Sequence, residues 1–173
     1  MTRDDLDRRL FLGLSGAGIV AGTLALATGG ASTSASAASF EVRRSDAEWK
    51  RRLGSQRYHI LREAGTERAF TSPLLKEHRK GVFACAGCGL PLFSSKTKYD
   101  SHTGWPSFWT VLPKATGTSR DSSWGMVRVE EHCRRCGGHL GHVFDDGPPP
   151  TGKRHCINGV SLVFHPVEGE TTG

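Results

Sequence analysis

The sequence predicts a mainly β domain with short helices at its N-terminal edge, pinned by a structural four-cysteine metal site. Three observations predict it. Beyond residue 65, short apolar runs are punctuated by Gly, Pro, Ser and Thr, the pattern of strands joined by turns. A charged stretch ahead of them carries a helix N-terminal signal. Two Cys-x-x-Cys pairs, each followed by Gly, have the spacing of metal-binding turns. The chain has 173 residues, 36% of them hydrophobic, too few for a polytopic membrane protein, while its aromatic residues and Leu/Val/Ile runs are enough to build a core. Its five cysteines cannot all pair with one another.

Residues 1–38 read as an export signal. Arg8-Arg9-Leu10-Phe11-Leu12 precedes a mildly apolar Gly/Ala-rich run over 13–27, and Ala35-Ser36-Ala37 or Ser36-Ala37-Ala38 fits a small-residue cleavage site. The paired arginines resemble the twin-arginine type of signal, with Asp7 and Gly13 departing from its flanks. The run is too short and too broken for a membrane span, which needs about 20 apolar residues. A short linker, 39–44, then leads to a domain over 45–173. Arg3, Arg8 and Arg9 balance Asp4, Asp5 and Asp7 in the leader, so the mature chain holds the whole net charge of +6. Its basic residues are dispersed, which favours solubility and gives no nucleic-acid stripe. No stable membrane association is expected after cleavage, and a monomer is expected.

Ser45-Asp46-Ala47-Glu48 fits a capping box, so a helix is expected from Asp46 to Gly54, followed by a second helical segment over 55–64. Strands are expected at 81–84, 126–130, 139–144, 155–157 and 160–164. Residues 145–152, with three consecutive prolines, can only be loop.

Cys85-Ala86-Gly87-Cys88 and Cys133-Arg134-Arg135-Cys136 suit one tetrahedral zinc site. Four thiolates leave no position for substrate, so that site is structural. Redox-active pairs or structural disulfides are the competing readings. Zinc binding by the four isolates Cys156, set in Lys153-Arg154-His155-Cys156-Ile157-Asn158, where Arg154 can stabilise a thiolate. A buried inert cysteine is the alternative. His139 and His142 offer imidazoles as acid or polarising donors. In a regular strand an i,i+3 pair points to opposite faces, and a bulge marked by Gly141 would bring both to one side. The cluster Gly104-Trp105-Pro106-Ser107-Phe108-Trp109 is either core or a pocket wall for a small group with one polar atom.

These motifs together resemble the type-B peptide-methionine (R)-S-oxide reductases, the SelR domain. The resemblance rests on Arg62-Glu63-Ala64-Gly65-Thr66-Glu67-Arg68-Ala69-Phe70, Cys85-x-x-Cys88-Gly89-x-Pro91-Leu92-Phe93, Tyr99-Asp100-Ser101 and Gly104-Trp105-Pro106-Ser107-Phe108. Cys133-x-x-Cys136, the run His139-Leu140-Gly141-His142-Val143-Phe144-Asp145-Asp146-Gly147-Pro148 and Arg154-His155-Cys156-Ile157-Asn158 complete it. It implies coiled antiparallel sheets, a structural zinc ion held by Cys85, Cys88, Cys133 and Cys136, and reduction of the R epimer of methionine sulfoxide, free or in proteins. It implies Cys156 as nucleophile in surroundings shaped by Arg154 and Asn158. His139 and His142 would bind and polarise the sulfoxide, Trp105 and Phe108 would contact substrate, and Asp146 would support the site. Attack would leave a sulfenic acid on Cys156.

Thr103 stands where many members of that family have a second cysteine. With four thiols on zinc none is spare, so the expected reductant is an external thiol, from a thioredoxin-like protein or a small molecule. A non-catalytic zinc-stabilised binding module and a thiol-disulfide oxidoreductase are the rival readings.

Overall fold

A computed structural model describes residues 40–167; the export signal read at 1–38 and the chain beyond 167 lie outside the described residues. Helix α1 (Asp46–Glu63) starts at the expected cap, where Ser45 Oγ accepts the Glu48 N–H at 3.3 Å. Gly54, at φ 71° and ψ 172°, interrupts it, so the two expected helices are two arms meeting at a glycine that can adopt this conformation without strain. The buried side of α1 is Trp49, Tyr58, Ile60 and Leu61. The guanidinium groups of Arg44 and Arg62 lie 5.5 and 5.1 Å from the centre of the Trp49 ring. Arg62 also donates to the Cys136 carbonyl at 2.9 Å, tying the helix to the second cysteine turn. The stretch read as a linker docks on the same turn, through a Val42 N–H bond to the Arg135 carbonyl at 2.9 Å.

Nine strands follow among the described residues: β1 (Gly81–Cys85), β2 (Pro91–Ser94), β3 (Lys98–Tyr99), β4 (Ser107–Phe108), β5 (Thr116–Asp121), β6 (Arg128–Cys133), β7 (His139–Phe144), β8 (Arg154–Ile157) and β9 (Leu162–Pro166). They form two sheets, ordered β2-β1-β9 and β3-β4-β8-β7-β6-β5, with every pairing antiparallel. The strand expected at 126–130 begins and ends later, as β6, because residues 123–125 form a 3₁₀ turn ahead of it. The strand expected at 160–164 likewise starts after a 3₁₀ turn, as β9. The prolines at 148–150 lie in a turn, as expected.

Register in the six-stranded sheet aligns Tyr99, Ser107, Cys156, His142, Glu130 and Ser119, one residue from each strand. Directly paired residues share a face, so this row is the floor of the site. Alternation sends the neighbouring residues the other way. Phe108 is fully buried, stacked on Phe93 at 4.3 Å and edge-on to Phe83 at 5.0 Å. Its expected role in substrate contact is therefore corrected: it is core, on the face opposite Ser107, and burying its ring stabilises the fold by about 2–3 kcal/mol. Leu140, Ile157 and Leu162 complete this core against α1.

Candidate active site

Two backbone details bring the site together. From Glu131 to His132, β6 advances one residue while β7 advances two, from Gly141 to His139. That bulge at Leu140 puts His139 and His142 on one face, with ring centroids 5.4 Å apart. Gly141 serves a different purpose from marking the bulge. A Cβ there would lie 2.0 Å from the Cys156 carbonyl oxygen, so only glycine lets β8 approach β7 this closely.

Cys156 is half-buried on the site face of β8, at a cavity of about 110 Å³. Thr66, Trp105, Arg128, Gly141, His142, Phe144 and Asn158 form the rest of the lining. Thr103 Oγ1 lies 3.8 Å from Cys156 Sγ. His155 points to the opposite face, where its Nδ1 bonds the fully buried Glu131 carboxylate at 2.9 Å.

The expected companions divide into those that face the cavity and those that hold others in place. Arg154 makes two 2.8 Å bonds to Asp146 and lies 4.2 Å above the Phe144 ring. The hydrogen-bonded Asp146 carboxylate keeps Arg154 above its ordinary pKa, so it is a permanent cation on the same strand as the thiol. Asn158 is buried, with its amide donating to the Leu140 carbonyl at 3.0 Å and accepting from the Glu67 N–H at 2.9 Å. Glu67 was not foreseen from sequence, yet it joins three parts of the site. Besides the Asn158 bond, its carbonyl accepts from Trp105 Nε1 at 3.0 Å and its carboxylate accepts from the Val160 N–H at 2.9 Å.

Each histidine is held by a carboxylate from the β5–β6 hairpin, also unforeseen. His142 Nε2 is 2.8 Å from Asp121 Oδ2, which accepts as well from Arg128 at 2.7 Å. Burial lowers the His142 pKa, while Asp121 acts in the opposite direction. Bonds from Ser123, then from His142, keep Asp121 well below the usual carboxylate range. His139 Nδ1 is 2.8 Å from Glu130 Oε1, and this bond, with that from Ser119, pulls Glu130 down to about 2. His139 Nε2 and Arg128 Nε are buried without a protein partner. Arg128 and His142 line the cavity at Cys156, whereas His139 lines the neighbouring hollow with Asp121 and Glu130 and meets the cavity through its contact with His142.

The other four cysteines converge from the β1–β2 and β6–β7 turns. Sγ of Cys85 and Cys136 are 3.7 Å apart, those of Cys88 and Cys133 are 3.5 Å apart, and all four lie within 4.8 Å of one another. Gly89 and Gly137 close the two turns at φ 72° and 67°, each donating its N–H to the carbonyl of the first cysteine at 2.8 Å. Arg135 Nε is 3.5 Å from Cys88 Sγ, placing a cation beside the cluster. Four convergent sulfurs in this geometry suit a tetrahedral metal ion and leave it no open position.

The SelR domain family matches residues 53–166. Peptide methionine sulfoxide reductase MsrB of Agrobacterium fabrum is 57% identical over 128 residues, covering 73% of this chain and 95% of the relative. Proteins of the same name from Thiobacillus denitrificans and Methanosarcina barkeri are 56% and 53% identical, covering 72% and 73% of this chain and 96% and 90% of their own. The family match spans both cysteine turns, the paired histidines and the β8 thiol, and with these relatives it places the chain in the SelR domain family.

Proposed function

We propose that this protein reduces the R epimer of methionine sulfoxide in proteins or peptides through Cys156. The observation that carries the reading is the separation of thiols: four face one another, and the fifth stands at a cavity with the Trp105 indole, the His142 imidazole and the Arg128 guanidinium in its lining. The relatives named above are methionine sulfoxide reductases by name, which supports the same reaction here.

A sulfoxide sulfur is a poor electrophile until its oxygen is hydrogen-bonded or protonated. Trp105 receives the methyl group, and the His142, His139 and Arg128 side hydrogen-bonds the oxygen. The Cys156 thiolate, with the Arg154 cation beside it on the same strand, attacks the sulfur. The oxygen, with one proton, passes to Cys156, leaving a thioether and a sulfenic acid. An external thiol from a thioredoxin-like protein or a small molecule then displaces water to form a mixed disulfide. A second thiol releases Cys156. Thr103 occupies the flank of Cys156 where a resolving thiol would be needed, so the cycle uses one cysteine of the chain.

Zinc is the ion we assign to Cys85, Cys88, Cys133 and Cys136. A tetrahedron with Zn–S near 2.3 Å separates sulfurs by about 3.8 Å, close to the spacings above. It supplies structure and takes no part in the reaction. The leader read at 1–38 makes the protein an exported one, acting on oxidised proteins outside the cytoplasm.

Single-turnover reduction of separated R and S epimers tests the proposal. Turnover of the R epimer alone, lost in Cys156→Ser, is expected; S-only turnover overturns it. After turnover without reductant, the expected product is a sulfenic acid trapped by a 1,3-dione. An intramolecular disulfide at Cys156 would overturn the one-cysteine cycle.

A further inference from the structure

Three hydroxyls run in a line to the thiol. Ser107 Oγ is 2.7 Å from Ser101 Oγ, which is 2.8 Å from Thr103 Oγ1, which is 3.8 Å from Cys156 Sγ. The far end closes at the Trp105 carbonyl, 3.2 Å from Ser107 Oγ. Ser107 is fully buried, and Ser101 and Thr103 are half-buried. The loop is fixed at both sides of Thr103. The His102 N–H bonds Asp100 Oδ1 at 2.8 Å, and the Gly104 carbonyl accepts from the Phe70 N–H at 2.8 Å.

Each hydroxyl has one proton, so the line has a direction. With Cys156 a neutral thiol, Ser107 donates to the Trp105 carbonyl, Ser101 to Ser107 and Thr103 to Ser101, and the thiol donates to Thr103. With Cys156 a thiolate, every bond turns over: Thr103 donates to sulfur, Ser101 to Thr103 and Ser107 to Ser101. The Trp105 carbonyl then loses its hydroxyl partner, and a charge-assisted bond to sulfur offsets that loss.

We propose that Ser101 and Ser107 are positioning residues for the sulfoxide reaction, acting through Thr103 as a reversible hydroxyl relay that presents a hydrogen bond to the Cys156 thiolate. The proposal rests on Cys156 as the reacting thiol, but not on how the enzyme is recycled. It gives Thr103 a task in the reaction, and it extends the site to two serines that make no hydrogen bond to the thiol.

The test is the rate of iodoacetamide alkylation of Cys156 in the zinc-loaded, reduced protein, across pH and without sulfoxide or recycling thiol. Thr103→Val is expected to slow alkylation at neutral pH by about threefold to tenfold and to move its pH profile upward, as loss of a hydrogen bond to an ionised group requires. Thr103→Ser, which retains the hydroxyl, restores the rate. Ser101→Ala is expected to move the profile in the same direction, and adding it to Thr103→Val is expected to cause no further change. Retained zinc and an unchanged circular dichroism spectrum establish that each variant is folded. A wild-type profile in Ser101→Ala, or additive effects in the double variant, overturns the relay. Failure of the sulfoxide reaction itself would appear in the epimer assay, since alkylation reads the thiol alone.

Discussion

At the scale of single residues, the carboxylates behind the histidines carry predictions that differ in sign and readout. Glu130 has its pKa pulled from an ordinary 4.5 to about 2 by His139 and Ser119. A carboxylate lowered on folding contributes stability that is complete above its unfolded pKa and is lost as pH falls toward its folded one. Glu130→Gln is therefore expected to be less stable than the parent at pH 7, with the gap closing between about pH 4.5 and 2. Urea midpoints across that range, with both proteins in the same metal state, check it; a constant gap would contradict it. Asp121 raises the His142 pKa against the effect of burial. Asp121→Asn should move the histidine limb of the pH–rate profile to lower pH and reduce kcat/KM by about tenfold or more, since the imidazole loses its orienting partner. Cys156, Arg154 and both histidines are legible in sequence because their chemistry is local to two short motifs. Glu67, Asp121, Arg128 and Glu130 are not, because ordinary acidic and basic residues reveal their partners only once distant strands pair. Phe108 shows the opposite error. The aromatic cluster around Trp105 leaves core and pocket wall both open, and strand alternation from Ser107 turns the Phe108 ring, expected to contact substrate, into the core.

At the scale of elements, the closest approach lies between β7 and β8. Gly141→Ala would drive a methyl group against the Cys156 carbonyl, a backbone atom that cannot rotate away. A loss of about 2–4 kcal/mol in unfolding free energy is expected, with weakened turnover and the four-cysteine site still able to bind its metal. Denaturant unfolding and metal stoichiometry measure both parts. The strands β7 and β8 are legible because apolar residues and motif residues mark them. Strand β5 is not: its sequence, Thr-Gly-Thr-Ser-Arg-Asp, has no apolar alternation, since it is an edge strand. Missing β5 means missing the element that carries Asp121 and supplies Ser119 to Glu130. The bend in α1 was legible because Gly54 falls inside an otherwise charged, helix-compatible run.

At the scale of the whole molecule, the cysteine cluster joins the two sheets. Cys85 and Cys88 come from a turn of the three-stranded sheet, Cys133 and Cys136 from a turn of the six-stranded sheet. Around it, Arg62 fastens α1 and Val42 fastens the entering chain. Chelation, or Cys136→Ser, should lower Tm by more than about 10 °C and abolish turnover, although no ligand touches substrate. Calorimetry with and without chelator decides this. Full activity in a metal-free protein would show that the sheets hold their relation unaided. The row from Tyr99 to Ser119 has a consequence for how such a chain can vary in length. Added residues can accumulate in turns such as 145–152, where they leave the strand pairings unchanged. A single residue inserted within a strand would transfer its contribution to the opposite face, so catalysis tolerates growth at the margins of this sheet and not within it.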